Sequence, residues 1–336
     1  MNLIKILAVE SSCDDTSVAI VENGRKVQGC ETFSQVEKHK IFGGVVPEIA
    51  SRNHIESIAN LVKILLNKSK IKFNELDGLA VTYGPGLVGS LLVGVNFVKG
   101  LSIATGLPIV PVHHVKAHVA ALYLTYPELE PPFLCLVVSG GHTYILEVLG
   151  YADVKIISRT RDDSVGEAFD KIGRKLGLDH PGGVHLDKLA ENGNPGRVKL
   201  PIPLKFENTY DFSFSGLKTA MINIINNLNQ KQEMINTEDM AASFRRHVVE
   251  YLISNFVQFA EKNNYKKLAI AGGVSANLLL RRELEKICLN KNWQLFKPRL
   301  EFCGDNAAMV ASQAFYEYQK NNFASLDLNA ISSESL

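Results

Sequence analysis

The sequence predicts an α/β protein whose two halves begin with the same strand–turn–strand unit. Three observations carry this. Apolar runs of strand length alternate with segments of helical period. A hairpin signal near the N-terminus recurs at residues 133–149, with Thr16 and Thr143 in similar places about 127 residues apart. The chain has 336 residues, 46% hydrophobic and 21% charged, which at roughly 150 residues per domain supports two cores.

Residues 3–9 are an apolar run, broken by the polar turn Glu10 to Thr16 and resumed from Val18 to Val21. Asn23-Gly24 then turns the chain into a further strand. Residues 53–67 place apolar side chains at 55, 58, 61, 62, 65 and 66, a helical period. A strand at 78–82 enters Gly84-Pro85-Gly86 and an apolar helix through about Leu101. Residues 108–112 read as a strand, and His113 onward as a helix. Phe133 to Val138 and Tyr144 to Leu149 flank the turn Ser139 to Thr143. Helices follow at 164–177, 238–263 and 277–289, with a strand at 267–271. Residues 181–236 are dense in Pro and Gly and read as a loop-rich insertion. The expected lobes are 1–132 and 133–321, with 322–336 a flexible tail and a ligand cleft between the halves.

Composition excludes several classes. Five cysteines without a C-x-x-C rule out a disulfide scaffold or zinc knuckle and imply reduced thiols. The first apolar run is too short for a signal peptide, and no stretch of about 18 apolar residues lacks charge. A cytoplasmic protein without a membrane span is expected. A net charge of +1 supplies no global field toward nucleic acid. One segment departs from this. Residues 262–299 hold nine Lys or Arg against Glu283 and Glu285, net +7, a surface that could receive a polyanion or be merely a solvated helix face.

Five motifs bear on chemistry. Gly84-Pro85-Gly86-Leu87-Val88-Gly89 matches a dinucleotide fingerprint, but no acidic residue lies about 20 residues on, so a tight turn is the preferred reading. His114 and His118, four apart, put two imidazoles on one helix face, a metal pair in want of a third ligand. Asp305 is the candidate, with helix capping as its competing role. Val115 stands where a zincin needs its general-base Glu. Ser139-Gly140-Gly141 exposes backbone N–H groups to a phosphate or carbonyl oxygen, whereas the matching first turn is acidic, with Glu10, Asp14 and Asp15. Gly272-Gly273-Val274-Ser275-Ala276-Asn277 leads a strand into a helix, where amides suit an anion or a nucleoside edge. No P-loop is present.

Taken together, these motifs resemble those of the universal tRNA threonylcarbamoyladenosine transferases, whose bacterial branch is TsaD and which were formerly named O-sialoglycoprotein endopeptidases. The blocks in order are VESSCDDTSVAIV (9–21), HKIFGGVVPEIASRNH (39–54), PVHHVKAH (111–118), LVVSGGHT (136–143), GEAFDKIGRKLGL (166–178), HPGG (180–183), DFSFSGLKTA (211–220), AGGVSAN (271–277) and CGDNAAM (303–309). The resemblance implies a duplicated actin, Hsp70 and sugar-kinase fold. It implies one divalent metal on His114, His118 and Asp305, usually Fe2+, with Zn2+ or Mg2+ able to substitute. It implies that Val137, Val138, Ser139, Gly140, Gly141, Asp170, Gly183, Asp187 and Asn277 hold the nucleotide-containing substrate. The implied reaction moves threonylcarbamoyl from threonylcarbamoyl-AMP to N6 of adenosine 37 in tRNAs reading ANN codons. The implied partners are a TsaB-like paralogous subunit, expected on the helix at 53–67, and a TsaE-like ATPase. Asp15 stands where relatives commonly carry Glu, His180 replaces a common Tyr, and Val137 replaces a Tyr ligand of archaeal and eukaryotic relatives. A carboxylate of the first turn, Glu10 or Asp14, is the expected base or proton shuttle. The competing readings are a small-molecule kinase of the same fold and a metal-dependent peptidase. The first lacks its Asp-x-Gly hairpin and the second its Glu at 115.

Overall fold

A computed structural model describes residues 3–333, apart from 205, 206, 208 and 235. Two compact units form. One comprises Met1–Pro131, Val148–Val154 and Pro298–Leu336, the other Pro132–Glu147 and Lys155–Lys297.

The first unit opens with β1 (Lys5–Glu10), β2 (Asp15–Glu22) and β3 (Lys26–Ser34), then α1 (Val36–Lys40) and α2 (Pro47–Ser69). β4 (Gly78–Gly84), α3 (Val88–Thr105), β5 (Ile109–His113) and α4 (His114–Thr125) follow. The sheet order is β3-β2-β1-β4-β5, with β1 antiparallel to β2 and parallel to β4. Both faces of β1 are covered, which is why its sequence is a continuous apolar run. Leu7 and Val9 pack toward Ile58, Val62 and Leu65 of α2 and Val95 and Val98 of α3. Ile6 and Ala8 pack on the opposite face, with Ala117 and Ala121 of α4. Proline at the first turn of α2 starts that helix six residues ahead of the apolar period, because the missing N–H costs nothing there.

The second unit contains β6 (Phe133–Val138), most of β7 (Thr143–Gly150) and of β8 (Asp153–Arg159), α5 (Val165–Lys175), α6 (Gly182–Leu189) and α7 (Ser215–Gln230). It continues with α8 (Thr237–Lys262), β9 (Lys267–Ala271), α9 (Leu278–Lys291) and β10 (Gln294–Phe296). Its sheet runs β10-β9-β6-β7-β8. Read from the β8 edge, this is the strand order of the first sheet, so the repeated hairpin belongs to a repeated fold.

Two expectations are corrected. The insertion at 181–236 is not all loop. It holds α6 and α7, and α7 buries Leu217, Met221 and Ile225 at fourfold spacing. The C-terminal segment belongs with the first unit. Here α10 (Ala307–Gln319) lays Ala307, Ala308, Ala311 and Ala314 on the β1 side of the first sheet, small side chains that permit close approach. The tail is tied down as well. Ala324 N–H donates to the Ile109 carbonyl at 2.9 Å, Ile331 N–H to Tyr83 at 2.9 Å, and Gly86 N–H to Ser332 at 3.2 Å.

Among the described residues α3 alone is long and apolar enough to cross a membrane, yet Leu91, Val95 and Val98 are buried in the first unit's core. The glycines of the Gly84–Gly89 turn answer to packing. A Cβ on Gly84 would lie 2.5 Å from the Ile331 carbonyl oxygen, and one on Gly86 2.6 Å from that of Ser12. Truncation after Asn321 removes these three long-range backbone hydrogen bonds, worth roughly 1 kcal/mol each. It should lower unfolding free energy in urea by about 2–3 kcal/mol. An unchanged midpoint would show the tail to be dispensable.

Candidate metal centre and nucleotide edge

The metal candidates lie in the first unit, where β5 runs directly into α4. His113 ends the strand and caps the helix, its Nδ1 accepting from Val115 N–H at 3.3 Å. His114 and His118 therefore fall on successive turns, with ring centroids 4.6 Å apart. Both Nε2 atoms face one oxygen, Oδ1 of Asp305, at 3.5 and 3.3 Å. One ligand atom from each residue fits within 4.8 Å of the others. The capping role does not compete for Asp305: Asn306 caps α10, accepting from Met309 N–H at 2.9 Å.

The donor set fits a cation. His118 is fully buried, and neither ring nitrogen has a hydrogen-bond partner. A buried polar atom in that state is costly unless something binds it. His114 is fixed from behind, its Nδ1 3.2 Å from both Glu10 Oε2 and Ser12 Oγ. Glu10 is fully buried, with Oε1 accepting from Ser12 N–H and Oε2 from the Thr82 hydroxyl, each at 2.6 Å. Burial raises the Glu10 carboxyl, but the charge and hydrogen bond of His114 outweigh it and leave it below its ordinary value. Burial lowers the His114 imidazole, but Asp305 and Glu10 reverse this and lift it to about 9. A carboxylate behind the imidazole places the proton on Nδ1 and turns Nε2 toward a metal.

Glu10, expected as a base or proton shuttle, has no exposed oxygen: both are engaged within the first unit, Oε2 beside His114 Nδ1. Asp14 lies in the same turn and is half-buried. Asp15, beside it, is pushed to about 7, chiefly by burial and further by the charges of Asp14, Asp305 and Glu10.

The residues expected to hold a nucleotide lie in the second unit. Val137 and Val138 are buried in β6, and the chain then enters the Ser139–His142 turn, closed by Ser139 N–H to His142 O at 2.8 Å. A Cβ on Gly140 or Gly141 would meet nothing within 4 Å, so the protein's own packing does not require glycine there. The open backbone suits close approach by a ligand. Behind this turn, Cβ atoms on Gly166 and Gly272 would collide with the Ser139 and Val138 carbonyl oxygens at 2.6 and 2.4 Å, so α5 and the Gly272 turn press against it. Asp170 Oδ1 accepts from Gly183 N–H at 2.7 Å, pairing two of the expected residues. Asp187 Oδ1 accepts from Asn277 Nδ2 at 2.8 Å, pairing two more. Asn277 Oδ1 caps α9 through Leu280 N–H at 2.9 Å. The turns after the parallel strands β6 and β9 thus share one edge, the usual ligand position in open α/β sheets.

Ser12, Thr82 and Arg245 escaped the sequence reading. Ser12 occupies in the first turn a place like that of Ser139 to Gly141 in the second, and comparing the two turns could have found it.

Two sheets of one strand order, the first bearing a His-His-Asp group that could hold a metal ion and the second a glycine-rich edge, define a protein of the actin, Hsp70 and sugar-kinase fold. The chain belongs to the TsaD family, tRNA N6-adenosine threonylcarbamoyltransferase, whose family model matches residues 26–312. It is 47% identical over 328 residues to the transferase of that name from Clostridium botulinum (strain 657 / Type Ba4), covering 98% of this chain and 96% of the relative. It is 47% identical over 329 residues to that of Clostridium kluyveri (strain NBRC 12016), with the same coverage. Among solved structures, T. kodakarensis HypF is similar at TM-score 0.66 and 14% identity, covering 97% of this chain and 49% of that one. Component A of Acidaminococcus fermentans (R)-2-hydroxyglutaryl-CoA dehydratase follows at 0.57 and 14%, covering 94% and 98%.

Two outcomes are expected of metal binding. Because a proton competes with the cation at His114, apparent affinity for Zn2+ should rise about tenfold per pH unit up to about pH 9, measured by calorimetry. Glu10→Gln should weaken affinity by about 10- to 100-fold while the chain stays folded. A pH-independent affinity, or an unaltered Glu10→Gln protein, would contradict this account of the centre.

Proposed function

We propose that this protein transfers the threonylcarbamoyl group of threonylcarbamoyl-AMP to N6 of adenosine 37 in tRNAs reading ANN codons, with release of AMP. The family match over residues 26–312 carries this reading. N6 attacks the carbamoyl carbon, the carbon–oxygen bond to phosphate breaks, and AMP departs with the electron pair. The N6 lone pair is delocalised into the ring, so rate depends on positioning and on an activated donor. Gly140 and Gly141 offer open backbone to the AMP phosphate, and Asp170 and Asp187 take ribose hydroxyls. Asp14 receives the N6 proton. A divalent cation on His114, His118 and Asp305, Fe2+ in the cell, supplies Lewis acidity toward the donor's oxygens.

The reaction is cytoplasmic and shared with partners. A TsaB-like subunit docks on the first unit where α2 and α3 leave an apolar groove of about 390 Å³ lined by Ile55, Ile58, Leu92, Val93 and Phe97. Ile55 is 65% exposed, and burying such a side chain supports an interface. A TsaE-like ATPase completes the set. Incubation with these partners, threonylcarbamoyl-AMP and unmodified tRNA, followed by nucleoside analysis, should yield threonylcarbamoyladenosine. Failure with a metal-loaded protein would end the reading. Asp14→Asn should lower kcat by about 100-fold with metal content unchanged. Full turnover in that variant would remove Asp14 from the mechanism. Ile55→Glu should abolish co-elution with the TsaB-like subunit while leaving metal binding intact, and persistent co-elution would place that interface elsewhere.

A further inference from the structure

Arg245 lies on α8, 58 residues from Asp187 in sequence, and is only 5% exposed. Its Nη1 donates to both the backbone carbonyl and Oδ1 of Asp187, each at 2.8 Å. Nη2 donates to the Ala190 carbonyl at 3.2 Å. The same guanidinium meets Glu191 Oε1 at 2.6 Å, and Glu191 in turn accepts both Nη atoms of Arg282 at 3.0 and 3.1 Å. A chain of charge therefore runs Arg282–Glu191–Arg245–Asp187 and ends on Asn277. Burial raises the Glu191 carboxyl, but hydrogen bonds from Arg245 and Arg282 outweigh it and keep it below its ordinary value.

The two Nη atoms of one planar guanidinium reach Asp187 and the Ala190 carbonyl together, so α6 and the residue after it are held at two points in fixed geometry, which a single ammonium cannot match. Asp187 Oδ1 is shared by Arg245 and Asn277, while Oδ2 takes the Leu278 N–H at 3.0 Å. The carboxylate thus has one rotamer, held between α6, α8 and the start of α9. We infer that Arg245 is a positioning residue for nucleotide recognition, holding Asp187 so that its Oδ2 edge meets a ribose hydroxyl. This rests on the reading that Asp187 contacts the ribose.

The test compares the affinities of the full-length protein for AMP and for 2′,3′-dideoxy-AMP, by calorimetry. Their ratio isolates ribose recognition, and because both constants come from one variant, a partly unfolded fraction cancels. Wild type should prefer AMP by about tenfold or more, the usual strength of a hydrogen bond to a charged group. Asp187→Ala should lower that preference by about threefold or more, Asp170 keeping its share. Arg245→Met should remove as much, and the double variant no more than either. Arg245→Lys should recover part of it, since charge returns without the fork. Should Arg245→Met fail to fold, Glu191→Gln replaces it and should reduce the ratio by about threefold through a looser guanidinium. An Arg245→Met or Glu191→Gln protein with the wild-type ratio overturns the positioning role. A wild-type ratio in Asp187→Ala instead overturns the assignment of Asp187 to the ribose.

Discussion

The first unit is organised around a carboxylate with no access to water. Glu10 ends β1, and its two oxygens draw in the backbone of the following turn, a hydroxyl from β4 and the imidazole that opens α4. Burying a charge this deeply is unfavourable unless each lone pair is met. Here three donors, each from a different element, meet it, so the same contacts that make the charge tolerable fix those elements against one another. The positive charge of His114 lies between Glu10 and Asp305, which together raise its pKa to about 9 against the effect of burial.

The duplication shows how one scaffold acquires two chemistries. Both sheets have the same order, and both opening hairpins follow their turn with a fully buried threonine. The Thr16 hydroxyl engages His54 Nδ1 at 2.7 Å, and that of Thr143 accepts Val165 N–H at 2.9 Å, so each threonine anchors a helix. The turns between diverge. The first carries Glu10, Ser12 and Asp14, of which Glu10 and Ser12 meet His114. The second carries Gly140 and Gly141 and presents bare backbone. Charged side chains and open backbone are two different uses of the same strand-to-turn junction, and each half holds one.

Much of this was legible in residue order because it depends on local pattern. The apolar periods located most strands and helices, and the four-residue spacing of His114 and His118 put both rings on one face before any third ligand was known. The parts that were not legible depend on distant contacts. Nothing near Asp305 in sequence says that Asn306 takes the cap, and nothing in the order of residues 322–333 announces that their backbone is bonded to Ile109, Tyr83 and Gly86. The Pro and Gly density around α6 and α7 masked helices that tertiary burial of Leu186 and Leu217 stabilises. Arg245 belongs to no motif, and its importance comes from partners 54 and 58 residues away.

The basic segment at 262–299 shows how a net charge read in sequence overstates a field. Arg282 pairs with Glu191, Lys291 with Glu261 and Arg299 with Glu301, carboxylates outside the segment, while Lys286 pairs with Glu283 and Lys297 with Glu285 inside it. Exposed pairs of this kind contribute little stability, typically under about 1 kcal/mol, so phosphates can compete for the cations. The carboxylates remain in place when they do, and they repel the same phosphates. Counterion release follows the number of phosphates neutralised, so this face alone offers a weaker and less salt-sensitive grip than nine cations imply. With a whole-chain charge of +1, strong tRNA affinity has to draw on surfaces beyond this segment.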